Sequence, residues 1–132
     1  MNGCVLDTDV VIAALDRSDA NHRAAARAVK RMAGEGTPLL LSLVNYAETL
    51  VRPAEDPAAL RAATGASDAL GIELVAPTPA IARDAASLRS AGGISLADGF
   101  AIATARARTA SVASFDQRVR RAVRRLGVEL AP

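Results

Sequence analysis

Four acidic residues far apart in the sequence are the strongest candidates for chemistry: Asp7, Glu48, Asp98 and Asp116. Each follows or lies within an apolar segment, so the folded chain should bury their carboxylates at least in part. Two carboxylates about 4 Å apart repel each other by about 4 kcal/mol at an effective dielectric constant near 20, so a cluster must take up protons or bind a cation. All-oxygen ligands favour hard cations, and the sequence has no Cys/His cluster to bind zinc. The acids therefore predict a site for Mg²⁺ (or Mn²⁺).

Each of these acids also has an ordinary structural explanation. Asp7 and Asp116 each precede a predicted helix and could act only as N-caps. Glu48 could form an ion pair with Arg52, four residues later on the same helix. Asp98 could be a first-turn acid that the helix dipole stabilises. For each residue taken singly, the sequence leaves both explanations open.

The elements that would position the acids alternate between short apolar runs and helical patterns. Apolar strands separated by helices indicate an α/β fold whose parallel sheet is covered on both faces. We expect one domain over residues 1–132, a three-layer α/β/α sandwich with a mainly parallel five-stranded sheet. The predicted strands are residues 4–6, 39–41, 72–75, 111–114 and 128–130. The predicted helices are residues 8–15, a second helix capped by Asp19 and reaching residue 33, then 43–51, 56–70, 78–91, 96–108 and 116–126.

The ends of the predicted strands bring two of the acids together. In open α/β sheets, sites lie beyond the carboxyl ends of strands, where the strand order reverses. Asp7 directly follows the first predicted strand, and Asp116 follows the fourth after Ser114 and Phe115. This rule makes the four acids more convincing as a set than as single residues.

Composition excludes several classes of protein. A hydrophobic content of 51% argues against disorder, and an aromatic content of 2% argues against an aromatic platform for stacking bases. The single cysteine, Cys4, cannot form an intrachain disulfide and is expected to be a buried thiol in a reducing cytoplasm. Asp7 and Asp9 interrupt the first apolar stretch, so we expect no signal peptide. No apolar run reaches the length of a membrane span.

Four segments resemble, in order and spacing, the successive motifs of PIN domains, and most of all those of the VapC toxins of bacterial toxin–antitoxin pairs. They are residues 5–9, the position of Glu48, residues 96–105 and residues 112–116. The resemblance implies a Mg²⁺-dependent endoribonuclease that cleaves RNA phosphodiesters with a metal-activated water. It implies that Asp7 and Asp98 are the principal metal ligands and that Asp116 completes the site. Glu48 would orient or deprotonate the water and could also be a ligand of a second metal ion, and the number of metal ions, one or two, stays open.

Other residues near these motifs have expected supporting roles. Thr8 and Ser114 could steer the carboxylates from a second layer around the metal. Asp9 stands where PIN domains commonly have Ser or Asn, and we expect it to make a positioning contact rather than to bind a second ion. Gly99 stands where Ala is usual, which should loosen that helix slightly.

Arginine clusters are the candidate surfaces for partners. Of the 16 basic residues all but one are Arg, which favours bidentate contacts to phosphate. One cluster directly follows Asp116 and could hold RNA phosphates or a partner protein, although a solvated helix face explains it equally well. Its members are Arg118, Arg120, Arg121, Arg124 and Arg125. The stripe of Arg23, Arg27, Lys30 and Arg31 has the same two interpretations. The resemblance further implies an antitoxin protein that blocks the site, and a homodimer.

Other classes of function fit the sequence less well. A receiver-type phosphoacceptor domain needs a Lys after its last strand, but Lys30 is the only Lys. A nucleotide-binding domain needs a glycine-rich loop after the first strand, where this chain has two acids. His22 is the only histidine, which excludes a histidine-based ribonuclease, and it is expected on the surface. Two alternatives stay open: a PIN nuclease that matures RNA, and a non-catalytic PIN-like binding module.

Overall fold

The computed structural model describes residues 2–131, and within them it contains seven helices and four strands. The strands are β1 (Cys4–Leu6), β2 (Leu39–Ser42), β3 (Glu73–Val75) and β4 (Ser111–Ala113). The helices are α1 (Thr8–Leu15), α2 (His22–Gly34), α3 (Leu43–Leu50), α4 (Pro57–Ala69), α5 (Pro79–Ala91), α6 (Leu96–Arg108) and α7 (Gln117–Arg125). A short 3₁₀ helix, Pro53–Glu55, precedes α4. None of the helices in residues 2–131 is both long enough and apolar enough to cross a membrane.

The four strands form one parallel sheet in the order β3-β2-β1-β4. Val5 of β1 pairs with Leu40 on one side and with Val112 on the other. The chain therefore builds the sheet outward from β1 to β3 and then returns to add β4 on the opposite side of β1. The strand order reverses between β1 and β4, which is where ligand sites of such sheets lie.

The core consists of two layers, one on each face of the sheet. Successive residues of a strand face opposite sides, so Cys4 and Leu6 pack with Val11 of α1 in one cluster. Val5 packs with Ile102 of α6 in the other. The structure thus confirms the three-layer α/β/α arrangement, and it confirms that Cys4 is fully buried.

Helix α5 lies outside α6 and approaches it closely at Gly99. Ile81 and Ala85 of α5 pack against Ala103 of α6. A Cβ atom added at Gly99 would lie 2.8 Å from the carbonyl oxygen of Ala85, which is closer than real Cβ contacts. Gly99 is therefore needed for the packing of the two helices, a reason that the sequence alone did not reveal.

The predicted fifth strand is wrong. Residues 128–130 meet the sheet only at one isolated parallel bridge, between Val112 and Leu130. The amide of Val112 donates to the carbonyl oxygen of Glu129, and the carbonyl oxygen of Val112 accepts from the amide of Ala131, both at 2.9 Å. Since both bonds belong to Val112, they make a single bridge and no ladder, and the sheet has four strands within residues 2–131.

Two predictions around α2 are also wrong. Asp19 does not cap the helix, because its Oδ1 accepts from the amide of Asn21 at 2.8 Å, in the local turn that Asp commonly forms with the residue two positions on. The helix begins at His22, after Asn21. His22 is partly buried rather than on the surface, and its Nδ1 lies 2.7 Å from the carbonyl oxygen of Ala13.

Candidate active site

Asp7 lies at the junction of β1 and α1 and is only 3% exposed. Its amide donates to the carbonyl oxygen of Ala113 at 2.9 Å, which fixes the residue beside the end of β4. One carboxylate oxygen accepts from the amide of Thr8 at 2.9 Å, and the other accepts from the hydroxyl of Ser114 at 2.8 Å. Asp7 therefore caps α1, as the structural explanation of this residue predicted. Its other carboxylate oxygen bonds to Ser114, directly after β4.

The electrostatic surroundings of Asp7 favour its protonated form. Burial, together with the charges of Asp9 and Asp98, raises the pKa of Asp7 from 3.8 to about 7 against the opposing hydrogen bonds from Ser114 and Thr8. Strongly shifted pKa values of this origin are frequent at functional sites. A helix cap alone does not require such surroundings.

Ser114 connects Asp7 to Asp116. Its hydroxyl donates to Asp7 and accepts from the amide of Asp116 at 3.1 Å. The Asp116 carboxylate caps α7 by accepting from the amides of Arg118 at 2.8 Å and Val119 at 3.4 Å. Partial burial would raise the pKa of Asp116, but these hydrogen bonds and the Arg118 guanidinium, 3.6 Å from Oδ2, outweigh it and lower the pKa.

One carboxylate oxygen of Asp9 makes a positioning contact of the kind that the sequence predicted. Its Oδ2 accepts from the amide of Phe115 at 3.1 Å, which ties α1 to the segment between β4 and α7. Its Oδ1 is buried and has no hydrogen-bond partner among the described residues. Burial raises the pKa of Asp9, and the nearby charge of Asp116 adds to the shift against hydrogen bonds from the backbone. A buried acceptor left unpaired costs about 1–3 kcal/mol.

Glu48 reaches the site from α3, and an unpredicted residue, Asn45, lies between it and α6. The hydroxyl of Thr8 donates to Glu48 Oε1 at 2.6 Å. Asn45 Nδ2 donates to Thr8 Oγ1 at 3.0 Å and to the carbonyl oxygen of Ala97 at 3.2 Å. Glu48 and Arg52 are not among the ion pairs of residues 2–131. The one available signal for Asn45 was a polar residue one turn before Glu48 in an otherwise apolar stretch.

Asp98 is half-buried in the first turn of α6. Its Oδ2 accepts from the amide of Ser95 at 2.9 Å, and Ser95 Oγ accepts from the amide of Asp98 at 3.1 Å. This reciprocal pair is a capping box, so the structural explanation of Asp98 applies. Its charge also raises the pKa of Asp7, which places Asp98 in the same electrostatic field.

Hydrogen bonds thus link the elements that carry the four predicted acids, but they do not gather the carboxylates around one point. Within residues 2–131, no group of three or more His, Cys, Asp or Glu side chains is arranged to hold a metal ion. The carboxylates bond instead to Ser114, Thr8 and Ser95 and to the first turn of α7.

The donor set nevertheless suits a hard divalent cation. The side chains that bond to Asp7 or raise its pKa, those of Ser114, Asp9 and Asp98, offer only oxygen atoms as ligands, which Mg²⁺ and Mn²⁺ prefer. Asp7, Asp9 and Asp98 share one electrostatic field, and Asp9 Oδ1 is buried without a partner. A cation there would offset the cost of ionising Asp7.

A comparison with protein families decides the affiliation. The model of the PIN domain matches residues 4–125. The chain belongs to the PIN domain family. No curated protein sequence gives a significant match.

Solved structures confirm the fold of this PIN domain. FitAcB from Neisseria gonorrhoeae is similar with a TM-score of 0.71 at 22% identity, covering 98% of this chain and 96% of the other. Mycobacterium tuberculosis VapC20, a sarcin-ricin loop cleaving toxin, gives 0.70 at 20% identity, covering 91% and 95%. VapBC2 from Rickettsia felis, bound to a DNA fragment from its promoter, gives 0.70 at 14% identity, covering 89% and 91%. At these identities the likeness establishes the fold alone.

The arginines of α7 in this PIN domain fall into two groups. Val119, Ala122 and Val123 are the buried side of the helix. Arg120 is half-buried, and its guanidinium donates to the carbonyl oxygen of Ser114 at 3.1 Å, so it supports the frame of the site. The other members of the cluster are exposed: Arg118, Arg121, Arg124 and Arg125. On α2, the basic stripe is exposed along its whole length, at Arg23, Arg27, Lys30 and Arg31.

Proposed function

We propose that this PIN domain is a Mg²⁺- or Mn²⁺-dependent endoribonuclease and the toxin of a VapBC-type toxin–antitoxin pair. The observation that carries the proposal is the buried carboxylate of Asp7, which shares its field with Asp9 and Asp98 and is joined through Ser114 to Asp116. This group lies where the strand order reverses. Family membership supports the proposal, as does the similarity to VapC20, a sarcin-ricin loop cleaving toxin.

The chain's own residues have separate tasks in this proposal. Mg²⁺ held by Asp7, Asp98 and Asp116 would polarise the scissile phosphate and lower the pKa of nearby water. Ser114 keeps Asp7 directed toward the end of β4. Glu48 is exposed and uses Oε1 to accept from Thr8, so Oε2 is the oxygen that we assign to take the proton of the attacking water.

The partners follow from charge and from the structural relatives. The exposed arginines of α7 begin two residues after Asp116, so RNA phosphates held there would lie beside the acids. Two of the similar structures, VapBC2 and a toxin–antitoxin complex from Klebsiella pneumoniae, contain an antitoxin. We therefore include a cognate antitoxin in the proposal. The homodimer that the resemblance to VapC toxins implies and the cytoplasmic location stay predictions.

An RNA cleavage assay with and without chelator tests the chemistry. We expect the purified chain to cut RNA in Mg²⁺ or Mn²⁺ and to stop when EDTA is added. Asp7→Asn and Asp98→Asn should abolish cleavage, whereas Asp68→Asn, at an exposed acid of α4, should leave the rate unchanged. Cleavage that survives both site substitutions would show that the site is assigned wrongly.

Induced expression in a bacterial host without the antitoxin tests the biological role. The wild-type chain should arrest growth, and Asp7→Asn should not. RNA cleavage in vitro without growth arrest would favour an RNA-maturation nuclease. No cleavage of any RNA in either metal would favour a non-catalytic binding module.

A further inference from the structure

Asn45 is a buried polar residue whose contacts span three elements of the site. It lies on α3, one turn before Glu48, and its side chain is fully buried. Its Nδ2 donates to Thr8 Oγ1 at 3.0 Å and to the carbonyl oxygen of Ala97 at 3.2 Å. Because Ala97 is the neighbour of Asp98, the amide joins the start of α1, the helix of Glu48 and the start of α6.

The chemistry of the partners fixes the orientation of this amide. The Ala97 carbonyl oxygen can only accept, so the NH₂ group of Asn45, and not its oxygen, must face it. The second hydrogen of the same NH₂ group then points to Thr8 Oγ1, which accepts. The hydrogen of the Thr8 hydroxyl is left to donate to Glu48 Oε1, and the short distance of 2.6 Å is typical of a hydroxyl bound to a carboxylate.

We propose, on the basis of the nuclease function above, that Asn45 is a positioning residue for the acidic site. It sets the direction of the Thr8 hydroxyl, so that this hydroxyl holds the Glu48 carboxylate. It also ties the first turn of α6, which carries Asp98, to the helix that carries Glu48.

The unsatisfied oxygen of Asn45 argues for this role. Asn45 Oδ1 is buried and has no hydrogen-bond partner among the described residues. An apolar side chain at this position would avoid that cost, but it could donate to neither Thr8 nor Ala97. Asp would have a similar shape, yet its ionised carboxylate lacks both donor hydrogens. Asn supplies two donors from one atom, which is what the two acceptors require.

The first test compares the kinetics of RNA cleavage by the full chain in Mg²⁺. Asn45→Leu keeps the number and branching of the side-chain heavy atoms and removes the donors, and we expect kcat to fall about 10- to 100-fold, as for other residues that orient metal ligands, with little change in KM. Asn45→Ser keeps one donor and should recover part of the loss. Thr8→Val, which removes the hydroxyl, should lower kcat to a similar extent.

A double variant shows whether the two residues act through one chain of bonds. The route through Thr8 is isolated at saturating Mg²⁺, where weaker metal binding through Asp98 does not limit the rate. Under that condition Asn45→Leu combined with Thr8→Val should be no more than about threefold slower than Thr8→Val alone. Losses that multiply in the double variant would overturn the proposal. Mn²⁺ affinity, followed by electron paramagnetic resonance, should weaken in Asn45→Leu because Asp98 is less well held.

The matched control is Thr49→Val. Thr49 is 4% exposed on the same helix, and its hydroxyl donates to the backbone carbonyl of Asn45 at 2.9 Å, so it is a buried polar group without a link to Thr8. We expect Thr49→Val to lower the melting temperature and to leave kcat unchanged. A loss of kcat in this variant equal to that of Asn45→Leu would show that any disturbance of α3 has the same effect, and would refute a specific role.

A spectroscopic measurement separates this inference from the proposed function. The side-chain amide signals of Asn45 in a ¹⁵N NMR spectrum should shift in Thr8→Val, whether or not the chain cleaves RNA. This result would support the inference even if no RNA is cut or if Asn45→Leu fails to fold. Amide signals that stay unchanged in Thr8→Val would overturn it.

Discussion

Replacing Asp7 by Asn should stabilise the metal-free protein at neutral and alkaline pH. In the folded chain burial raises the pKa of Asp7 from 3.8 to about 7, with the charges of Asp9 and Asp98 contributing. The folded state therefore keeps a proton that the unfolded state releases at about pH 4. Because the folded pKa is the higher one, this proton's stabilising contribution is complete below about pH 4 and is lost as the pH rises through about 7.

The size of this effect follows from the shift in the pKa of Asp7. A rise of about three pKa units corresponds to about 4 kcal/mol, at about 1.4 kcal/mol per unit. Asp7 is only 3% exposed, so solvent screening reduces this value little. Between about pH 5 and pH 8, the free energy of unfolding of the wild type should fall by about 3 kcal/mol relative to that of Asp7→Asn.

Urea unfolding in the presence of EDTA, at several pH values, measures this difference. Asp68→Asn serves as the control, because this exposed acid of α4 should follow the wild type at every pH. Adding Mg²⁺ at about pH 8 should stabilise the wild type and leave Asp7→Asn nearly unchanged, since only the ionised carboxylate binds the ion. A wild-type-to-variant difference that is equal at both ends of the pH range would refute the electrostatic argument.

Three further predictions concern packing, RNA binding and capping. In a urea titration, Gly99→Ala should lower the free energy of unfolding by about 1–3 kcal/mol, because the added Cβ would lie 2.8 Å from the carbonyl oxygen of Ala85. The control Gly65→Ala, on α4 with open space around it, should instead raise the free energy of unfolding by up to about 1 kcal/mol. Arg121→Gln should weaken RNA binding in EDTA and reduce the slope of log Kd against log salt by about 0.7, with exposed Arg83→Gln unchanged. Asp116→Asn should unfold like the wild type and cleave RNA poorly, whereas Asp116→Ala should also lose about 1 kcal/mol of stability with its cap.

The sequence predicted the central strand and its acid because both are local patterns. The apolar run of β1 is followed at once by Asp7, and the rule about strand ends needs no further information. The predicted strand at residues 128–130 also has apolar residues, Val128 and Leu130, yet it forms only one bridge, to Val112. Whether an apolar segment pairs over several residues depends on the edge it meets, and that is a tertiary property.

The candidate site, too, was predictable only where it depends on local sequence patterns. Residue type and strand position indicated the acids, whereas Asn45 bonds to groups that lie 37 and 52 residues away. Such contacts leave no trace in local periodicity. The same limit applies to Asp19, where a turn and a cap use the same side chain and the sequence does not distinguish them.

The pairing of β1 with β4 has a consequence for synthesis of the chain. Leu6 and Ala113 are register partners, and β4 follows β1, β2 and β3 in the chain. The β1 strand therefore gains its second neighbour only after β4 has been synthesised. Until then Ser114 cannot donate to Asp7, and Asp7 is not linked through Ser114 to Asp116. A ribosome carrying an unfinished copy therefore displays a polypeptide in which the acidic site has not yet been assembled.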